Sequence, residues 1–290
     1  MKRRHFFGYA ALLAVGVAAA CARPTPPPTA DLPPLRLAIT DVSGMEGLER
    51  DYGEFRLALA TALGTEVEFF PVENYTSATV ALKSGDVDLV VAGPSEYVVI
   101  NARTNAVPVI AITRLNYRSV IAVPAGSDLT EGVAALKGKK IAMSDIGSTS
   151  GHLGPTALLL DAGLDPQLDV VVEMLGDDGS AAAMKAGSVD AWGGSVTDFE
   201  EMLKDDAGSF VVLIESPPLP SDVILASSSV DLAAVELIRE RLLANQEELV
   251  TAIATHETKY AGSTLKPASD TDYNSIRAVY QAIGQGEFVQ

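Results

Sequence analysis

The sequence contains one eight-residue pattern twice: Ala81-Leu82-Lys83-Ser84-Gly85-Asp86-Val87-Asp88 returns later as Ala183-Met184-Lys185-Ala186-Gly187-Ser188-Val189-Asp190. Each copy is typical of a helix that ends at glycine and turns into a strand. Such corners also recur by chance in α/β proteins. The wide separation of the two copies excludes a solenoid and favours two similar lobes, between which a ligand cleft would lie.

Short apolar runs alternate with amphipathic stretches from Leu35 onward. This alternation predicts an α/β fold with a largely parallel sheet. Strands are predicted at Leu35–Thr40, Glu66–Val72, Asp88–Gly93, Val107–Thr113, Ser119–Pro124, Lys139–Met143, Asp169–Leu175, Phe210–Glu215 and Asp222–Ala226. Helices are predicted at Leu48–Leu63, Thr76–Lys83, Ser95–Arg103, Leu153–Ala162 and Ser180–Ala186. After Asp231 the strand signals stop, and three helices are predicted near 231–246, 247–260 and 270–284.

The composition limits the classes of function. The chain has 290 residues, of which 48% are hydrophobic, so it can bury a large core in one or two domains. The formal net charge is -17, and no cluster of basic residues is visible in the sequence. A nucleic-acid binder is excluded because it needs a basic surface for the phosphate backbone. The single Cys excludes a disulfide framework and a Cys-rich metal site. With only three His besides, we expect neither a metal nor a cofactor.

Residues 1–20 have the pattern of a secretory signal. A basic start, Lys2-Arg3-Arg4, precedes an apolar run from Phe6 to Ala20 that is shorter than the roughly 20 residues of a membrane span. The basic pair fits either the general or the twin-arginine export route.

The end of this segment resembles a bacterial lipoprotein signal, because small residues precede Cys21. Residues 21–34 then form a lipidated Cys followed by a Pro-rich, semi-rigid tether. We therefore expect an exported protein anchored to a membrane through Cys21, facing the periplasm or the cell exterior. The alternative is a soluble secreted protein in which Cys21 is incidental.

The segment Asp145-Ile146-Gly147-Ser148-Thr149-Ser150-Gly151 carries the strongest chemical signal. It lies between a predicted strand and a predicted helix, where hydroxyls and unpaired backbone amides favour an oxyanion. A hydroxyl-rich helix cap is the alternative. A nucleophile elbow is excluded because Thr149 holds the place of the serine, and a P-loop is excluded because no Lys follows.

Several motifs occur in the order and spacing of a known family. They are Asn74-Tyr75, Ser84-Gly85-Asp86-Val87-Asp88, Gly93-Pro94-Ser95-Glu96-Tyr97, Leu136-Lys137-Gly138-Lys139-Lys140-Ile141-Ala142, Gly147-Ser148-Thr149-Ser150-Gly151, Gly187-Ser188-Val189-Asp190-Ala191 and Pro218-Leu219-Pro220-Ser221-Asp222. From about Leu35 to Asp222 the chain resembles the phosphonate, phosphite and phosphate binding proteins of bacterial ABC importers.

The resemblance implies a two-lobed periplasmic-binding fold of type II with two crossover strands. Lobe 1 would comprise residues 35–118 and 223–290, and lobe 2 residues 119–222. A protein of this family captures a small oxyanion by lobe closure and delivers it to an ABC permease in the membrane. It would act as a monomer and would not be an enzyme. The alternatives are an exported enzyme on the same fold, with Asp177, His152 or Asp222 as acid or base, and a sensor that contacts a receptor kinase.

The family's ligand contacts are carried over by position. They fall on Tyr75 and Tyr97 in lobe 1, on Ser148, Thr149 and Ser150 in lobe 2, and on Asp222, whose counterpart in binders of aminoalkyl phosphonates faces the ligand's ammonium group. One departure from the family pattern concerns charge. Asp177, with Asp178 beside it, stands where the family usually has a His that contacts the phosphonate, and a carboxylate there would repel an anion.

Other residues have two open interpretations each. His152 either replaces the missing His in part or is a solvent-exposed residue of a first helical turn. Trp192 either lines the cleft or packs in the core. Arg114 and Arg118, which flank Tyr117, serve either an anion or a salt bridge between the lobes. The resemblance to binders of aminoalkyl phosphonates implies a second acidic residue near the ligand. Thr197 stands at that position here, with Asp198 adjacent. His256 is expected to be solvated.

Overall fold

The structure is a computed structural model that describes residues 32–205 and 207–290. The strands in these ranges are β1 (Leu35–Ile39), β2 (Val67–Phe69), β3 (Leu89–Ala92), β4 (Val107–Ile112), β5 (Ser119–Pro124), β6 (Lys140–Met143), β7 (Val171–Met174), β8 (Ala191–Ser195), β9 (Phe210–Glu215), β10 (Asp222–Ala226) and β11 (Leu265–Pro267). The α-helices are α1 (Met45–Leu63), α2 (Tyr75–Ser84), α3 (Pro94–Thr104), α4 (Gly154–Asp161), α5 (Gly176–Lys185), α6 (Val196–Asp198), α7 (Leu232–Ala244), α8 (Gln246–Ala254) and α9 (Asn274–Ala282).

Shorter helical turns complete the description. Two are π-helical, Thr149–Leu153 and Phe199–Leu203. The others are 3₁₀ turns at Asp128–Glu131, Val133–Leu136, Thr258–Tyr260, Asp270–Tyr273 and Gly286–Val289. Every strand expected from the sequence is present, which confirms the α/β class.

The strands form two separate sheets, with the orders β11-β4-β10-β3-β1-β2 and β7-β6-β8-β5-β9. The chain passes from the first sheet to the second between β4 and β5, and it returns between β9 and β10. The expectation of largely parallel strands is wrong, because both sheets are mixed. β10 runs antiparallel to β3 and β4, and β5 runs antiparallel to β8 and β9. β5 and β10 are the strands that the chain enters directly after its two crossings.

The last sixty residues depart from the expectation of helices alone. The short strand β11 pairs antiparallel with β4 and forms an edge of the first sheet. At three residues, with Pro267 at its end, it gave no periodic signal in the sequence. The helix expected over 247–260 ends at Ala254 and is followed by the 3₁₀ turn at Thr258–Tyr260.

The repeated sequence has equivalent structure in its two copies. Gly85 and Gly187 both have the left-handed backbone that ends a helix, with φ of +76° and +67°. The Asp88 carboxylate accepts the backbone N–H of Arg36 at 2.8 Å, and the Asp190 carboxylate accepts that of Lys140 at 2.9 Å. Each aspartate therefore ties the start of one strand to the neighbouring parallel strand, once in each sheet.

Apolar side chains cover both faces of each sheet. In β1, Leu37 and Ile39 pack into one buried cluster, while Ala38 packs into another on the opposite face. In β5, Ile121 and Val120 divide in the same way between two further clusters. This alternation follows from the period of two in a strand, and it leaves the loops at the strand ends free to form a site.

The N-terminal expectations lie outside the described residues. These are the signal sequence over residues 1–20, the lipidated Cys21 and most of the tether over 21–34. Among the helices within 32–205 and 207–290, none combines the length and the apolar character needed to span a membrane.

Candidate ligand-binding cleft

A cavity of about 520 Å³ lies between loops that extend from the strand ends of both sheets. Its lining from the first sheet and the following helices comprises Thr40, Asp41, Glu73, Asn74, Tyr75, Val91, Ala92, Gly93, Ser95, Glu96, Arg114, Asp222, Lys259 and Tyr260. From the segment before β5 it comprises Tyr117, and from the loops and helices of the second sheet it comprises Ser144, Asp145, Ile146, Gly147, Ser148, Thr149, Ser150, Asp177 and Asp198. The volume suits a small solute.

The loop after β6 brings the predicted hydroxyl cluster to this cavity. Ser148 caps the π-helical turn, and its Oγ accepts the N–H of Gly151 at 3.2 Å. No acceptor within the described part of the chain binds the backbone N–H of Thr149 or Ser150. Two unpaired amides at the start of a helical segment therefore lie at the cavity, where they can donate to an anion.

Two glycines allow this loop to pack closely. A Cβ on Gly151 would lie 2.3 Å from the Ser144 Cβ, and one on Gly154 would lie 1.8 Å from the Ser119 Oγ. Any larger residue would push the segment away from the ends of β6 and β5. The spacing of glycines and hydroxyls in the motif thus reflects packing as well as chemistry.

The Thr149 hydroxyl bridges the two sides of the cavity. Its Oγ1 donates to the Ser95 Oγ at 2.9 Å and accepts the Ser95 N–H at 3.0 Å. Both residues are buried, and Ser95 lies in the first turn of α3. The Thr149 hydroxyl, which was predicted to contact the ligand, is therefore hydrogen-bonded to Ser95 on the other side of the cavity.

The two predicted tyrosines lie in different environments. Tyr75 begins α2, lines the cavity and lies near Gly147, on which a Cβ would be 3.9 Å from the Tyr75 hydroxyl. Tyr97 is fully buried, packs on Tyr273 with ring centroids 4.4 Å apart, and donates to Asp270 at 2.8 Å. The position of Tyr97 corrects the expectation of a ligand contact. Tyr97 lies in the first turn of α3 with Ser95 and Glu96, but its side chain packs in the core, whereas Ser95 and Glu96 line the cavity.

His152 serves the loop and is not part of the cavity lining. Its Nδ1 accepts the backbone N–H of Gly147 at 3.0 Å, and the side chain is buried. Burial lowers the pKa of His152, so the ring is neutral at pH 7. Neither expected role, replacement of the family's His or solvent exposure, fits this position.

Asp177 lines the cavity at the first turn of α5, next to the loop. Its carboxylate accepts a hydrogen bond from the Ser144 hydroxyl. Burial raises the pKa of Asp177 above its usual value, although the Ser144 hydrogen bond acts in the opposite direction. Asp198 also lines the cavity, and its Oδ2 accepts the Ser195 hydroxyl at 2.6 Å.

Asp222, the first residue of β10, is 4% exposed and lines the cavity. Its carboxylate accepts the Tyr260 hydroxyl at 2.8 Å and lies 3.8 Å from the Arg114 guanidinium. Asp41, at the same side, forms an ion pair with Lys259. Two of the cleft's carboxylates are thus neutralised by cations within the protein.

Glu96 is a cavity residue that the sequence reasoning missed. Its Oε2 accepts the Gly93 N–H at 2.9 Å and a short hydrogen bond from the Thr40 hydroxyl. Burial raises the pKa of Glu96 to about 7. The signal was the spacing from Gly93 to Glu96, which is that of a capping box at the start of a helix.

The structure shows where the remaining candidate residues lie. Trp192 is buried in the core, where its indole N–H donates to the Ser180 hydroxyl at 2.9 Å. Arg118 lies outside the cavity and pairs with Glu215 at 3.1 Å, whereas Arg114 is part of the lining. His256 is exposed.

Comparison with known proteins agrees with this geometry. Residues 39–273 match the family model described as ABC transporter, phosphonate, periplasmic substrate-binding protein. The chain belongs to this family. It is also 25% identical over 275 residues to the phosphate-import protein PhnD of Mycolicibacterium smegmatis, with 86% of each chain covered.

Solved structures place the fold among the periplasmic binding proteins of type II. PhnD1 from Prochlorococcus marinus in complex with methylphosphonate matches with a TM-score of 0.68 and 19% identity, over 87% of this chain and 98% of that one. The aliphatic sulphonate binding protein SsuA from Escherichia coli matches with a TM-score of 0.61 and 20% identity, over 89% and 94%.

Membership in the family confirms the resemblance stated from the motifs. The protein is the substrate-binding component of an ABC transport system of the phosphonate type, and it is therefore exported. The two-sheet α/β fold with two crossings of the chain is the one that the resemblance implied.

Proposed function

We propose that this protein captures a small oxyanion of the phosphonate, phosphite or phosphate class in its cleft and delivers it unaltered to a membrane permease. The observation that carries the proposal is the pair of unpaired amides at Thr149 and Ser150, which lie at the cavity. The names of two relatives point to the same class, since one imports phosphate and another holds methylphosphonate.

The acidic lining does not contradict an anionic ligand. The carboxylates of Asp41 and Asp222 are balanced by Lys259 and Arg114. The raised pKa values of Glu96 and Asp177 favour their neutral forms, in which each can donate a hydrogen bond to an oxyanion. The nearby dipoles and cations then outweigh distant charges, which salt screens over about 8–10 Å.

The proposed mechanism is closure of two lobes, residues 35–118 with 223–290 and residues 119–222. Tyr75 would approach the ligand from lobe 1, and the segment from Ser148 to Ser150 from lobe 2. A ligand that contacts both sides binds the closed form more tightly, so it shifts the population toward that form. No step of this mechanism requires a catalytic group, and we propose a monomer that returns its ligand unchanged.

The test is a thermal-shift panel of phosphate, phosphite, alkyl and aminoalkyl phosphonates, and sulfonates. Binding to the folded state alone raises the melting temperature, so one oxyanion should stabilise the protein at low concentration. Titration calorimetry and analysis of the recovered ligand would then give the affinity and show whether any turnover occurs. A panel in which no oxyanion produces a shift would refute the proposed ligand class.

We propose further that the exported protein is held at the membrane through Cys21. Small residues before this Cys and the Pro-rich segment after it support a lipid anchor with a spacer. Intact-mass measurement of the membrane fraction should show a diacylglycerol-sized increase that Cys21→Ser abolishes. Release of an unmodified wild-type protein into the soluble fraction would contradict the anchor.

A further inference from the structure

Arg114 lies where the chain passes from the first sheet to the second, between β4 and β5. Its guanidinium carbon is 3.7 Å from the centroid of the Tyr117 ring, and only 14% of its side chain is exposed. The stacking holds the planar guanidinium in one orientation at the wall of the cavity. A large cation is thus fixed and mostly removed from bulk water.

The Arg114 guanidinium forms no hydrogen bond within residues 32–205 and 207–290. Its ionic neighbour Asp222 is 3.8 Å away, which is beyond hydrogen-bond distance, and that carboxylate already accepts the Tyr260 hydroxyl. Arg118 differs, since its guanidinium binds Glu215 and the Ser216 carbonyl, each at 3.1 Å.

The surroundings keep Arg114 charged and connect it to the loop. The groups that face it are Asp222, Tyr117, Tyr260 and Asp198. Burial acts to lower the pKa of Arg114, but Asp222, Tyr117, Tyr260 and Asp198 together outweigh it and the pKa is raised. On its other side, the Tyr117 hydroxyl lies beside the Ser150 and Thr149 side chains. The guanidinium and the free amides therefore border the same space.

We infer that Arg114 anchors the ligand's oxyanion, supplying a pair of N–H donors that act together with the amides of Thr149 and Ser150. The inference rests on the proposed function and names the cation of that same site. Guanidinium and tetrahedral oxyanions match in a bidentate geometry, and a buried guanidinium with unpaired donors gains most when the ligand provides the acceptors. Arg114 supplies the positive charge that the family's usual His would supply where Asp177 now stands.

The test compares Arg114→Gln with Arg118→Gln by titration calorimetry, using phosphate, phosphite and methylphosphonate as probes. We expect Arg114→Gln to weaken binding roughly 10- to 100-fold and Arg118→Gln to leave it within about threefold, because only Arg114 faces the ligand. Circular dichroism and the ligand-free melting temperature confirm that both variants fold. Equal affinities for wild type and Arg114→Gln would overturn the inference and leave the proposed function intact. A wild type that binds none of the probes would overturn both.

A second variant separates direct contact from charge balance. Arg114→Gln leaves Asp222 uncompensated, and its carboxylate alone would repel an anion. The double variant Arg114→Gln/Asp222→Asn removes that repulsion. If Arg114 donates to the ligand, the double variant regains only the affinity that the repulsion had removed and stays about fivefold or more weaker than the wild type, because the lost hydrogen bonds are not restored. Recovery of wild-type affinity in the double variant would show that Arg114 only balances Asp222, and the inference would fail.

Discussion

Asp177 is a titratable carboxylate at the cavity, and its ionisation would change the charge that a ligand meets there. It lies at the cavity with the Ser144 hydroxyl on one oxygen, and its pKa is raised by burial. The protonated form can donate to an oxyanion, whereas the ionised form repels it. A residue that would exclude the ligand when charged is therefore compatible with it when protonated.

Asp177→Asn should bind a dianionic phosphonate more tightly than the wild type at pH 8, by about tenfold. The wild-type affinity should fall as the pH rises through the raised pKa of Asp177, because deprotonation adds a negative charge beside the ligand. Asn keeps an oxygen for the Ser144 hydroxyl but cannot ionise. Calorimetric titrations from pH 5 to pH 8.5 measure both effects.

The matched control is Asp178→Asn, on the same turn of α5 but outside the cavity lining. It should reproduce the wild-type pH profile. Identical profiles for the two variants would mean that Asp177 does not act on the ligand.

Thr149→Val should weaken ligand binding by about 1–3 kcal/mol even if the hydroxyl never touches the ligand. Valine has nearly the same shape but leaves the buried Ser95 N–H without an acceptor in the closed arrangement, so the open form gains population. Affinities of Thr149→Val, Ser95→Ala and the double variant form a thermodynamic cycle. Coupling between the two sites is expected, and strictly additive effects would assign the Thr149 hydroxyl to the ligand instead.

At the scale of the element, the loop from Ser144 to Gly154 acts as one packed unit. Gly147 has a φ of +91°, and Gly151 and Gly154 lie directly against Ser144 and Ser119. These constraints hold the amides of Thr149 and Ser150 toward the cavity. The conformation of this loop therefore depends on its glycines, which have no side chain, as much as on its hydroxyl groups.

Gly154→Ala should lower the free energy of unfolding by several kcal/mol and should abolish ligand binding, because its Cβ would lie 1.8 Å from the Ser119 Oγ. Urea denaturation and the thermal-shift panel measure the two effects. Gly53→Ala in the middle of α1, where the nearest atom to a Cβ is 3.4 Å away, is the control and should stabilise the protein slightly. Two variants of equal stability would show that the loop can move to admit a methyl group.

At the scale of the whole molecule, the excess of acidic over basic residues affects stability as well as ligand binding. Within residues 32–205 and 207–290 most acidic side chains are exposed, where salt screens their charge. Glu96 differs, because burial raises its pKa from 4.5 to about 7. The folded protein keeps a proton there that the unfolded chain releases, so the free energy of unfolding falls as the pH rises from 4.5 to 7.

Glu96→Gln should therefore flatten the pH dependence of stability in that window and be more stable than the wild type at pH 8. Gln keeps an oxygen for the Thr40 hydroxyl and the Gly93 N–H, which isolates the effect of ionisation. Urea denaturation at pH 5, 6, 7 and 8 gives the measurement. The exposed rim residue Glu73 supplies the control Glu73→Gln, and matching slopes for the two variants would rule out the assigned role of Glu96.

The sequence by itself determined the local structure and the family. The strand–helix alternation predicted an α/β fold and the repeated helix–Gly–strand corner favoured two lobes, because periodicity and turn residues depend on residues close together in the chain. The two crossings of the chain were implied by the resemblance that the ordered motifs carry. The same reasoning found the Ser148–Ser150 segment at the cavity, because its glycines and hydroxyls are also a local signal.

Only the tertiary structure decided strand direction and which side chains meet in the cleft. β10 pairs antiparallel with β3, and β11 pairs antiparallel with β4. Both partners are far away in the chain. Ser95 and Glu96 reach the cavity while Tyr97 enters the core, because helix rotation separates neighbouring side chains by about 100°. The orientation and charge environment of Arg114 depend on Tyr117 and on the distant Asp222. Burial and charge pairing are set by contacts that cross the fold, and the linear sequence does not specify those contacts.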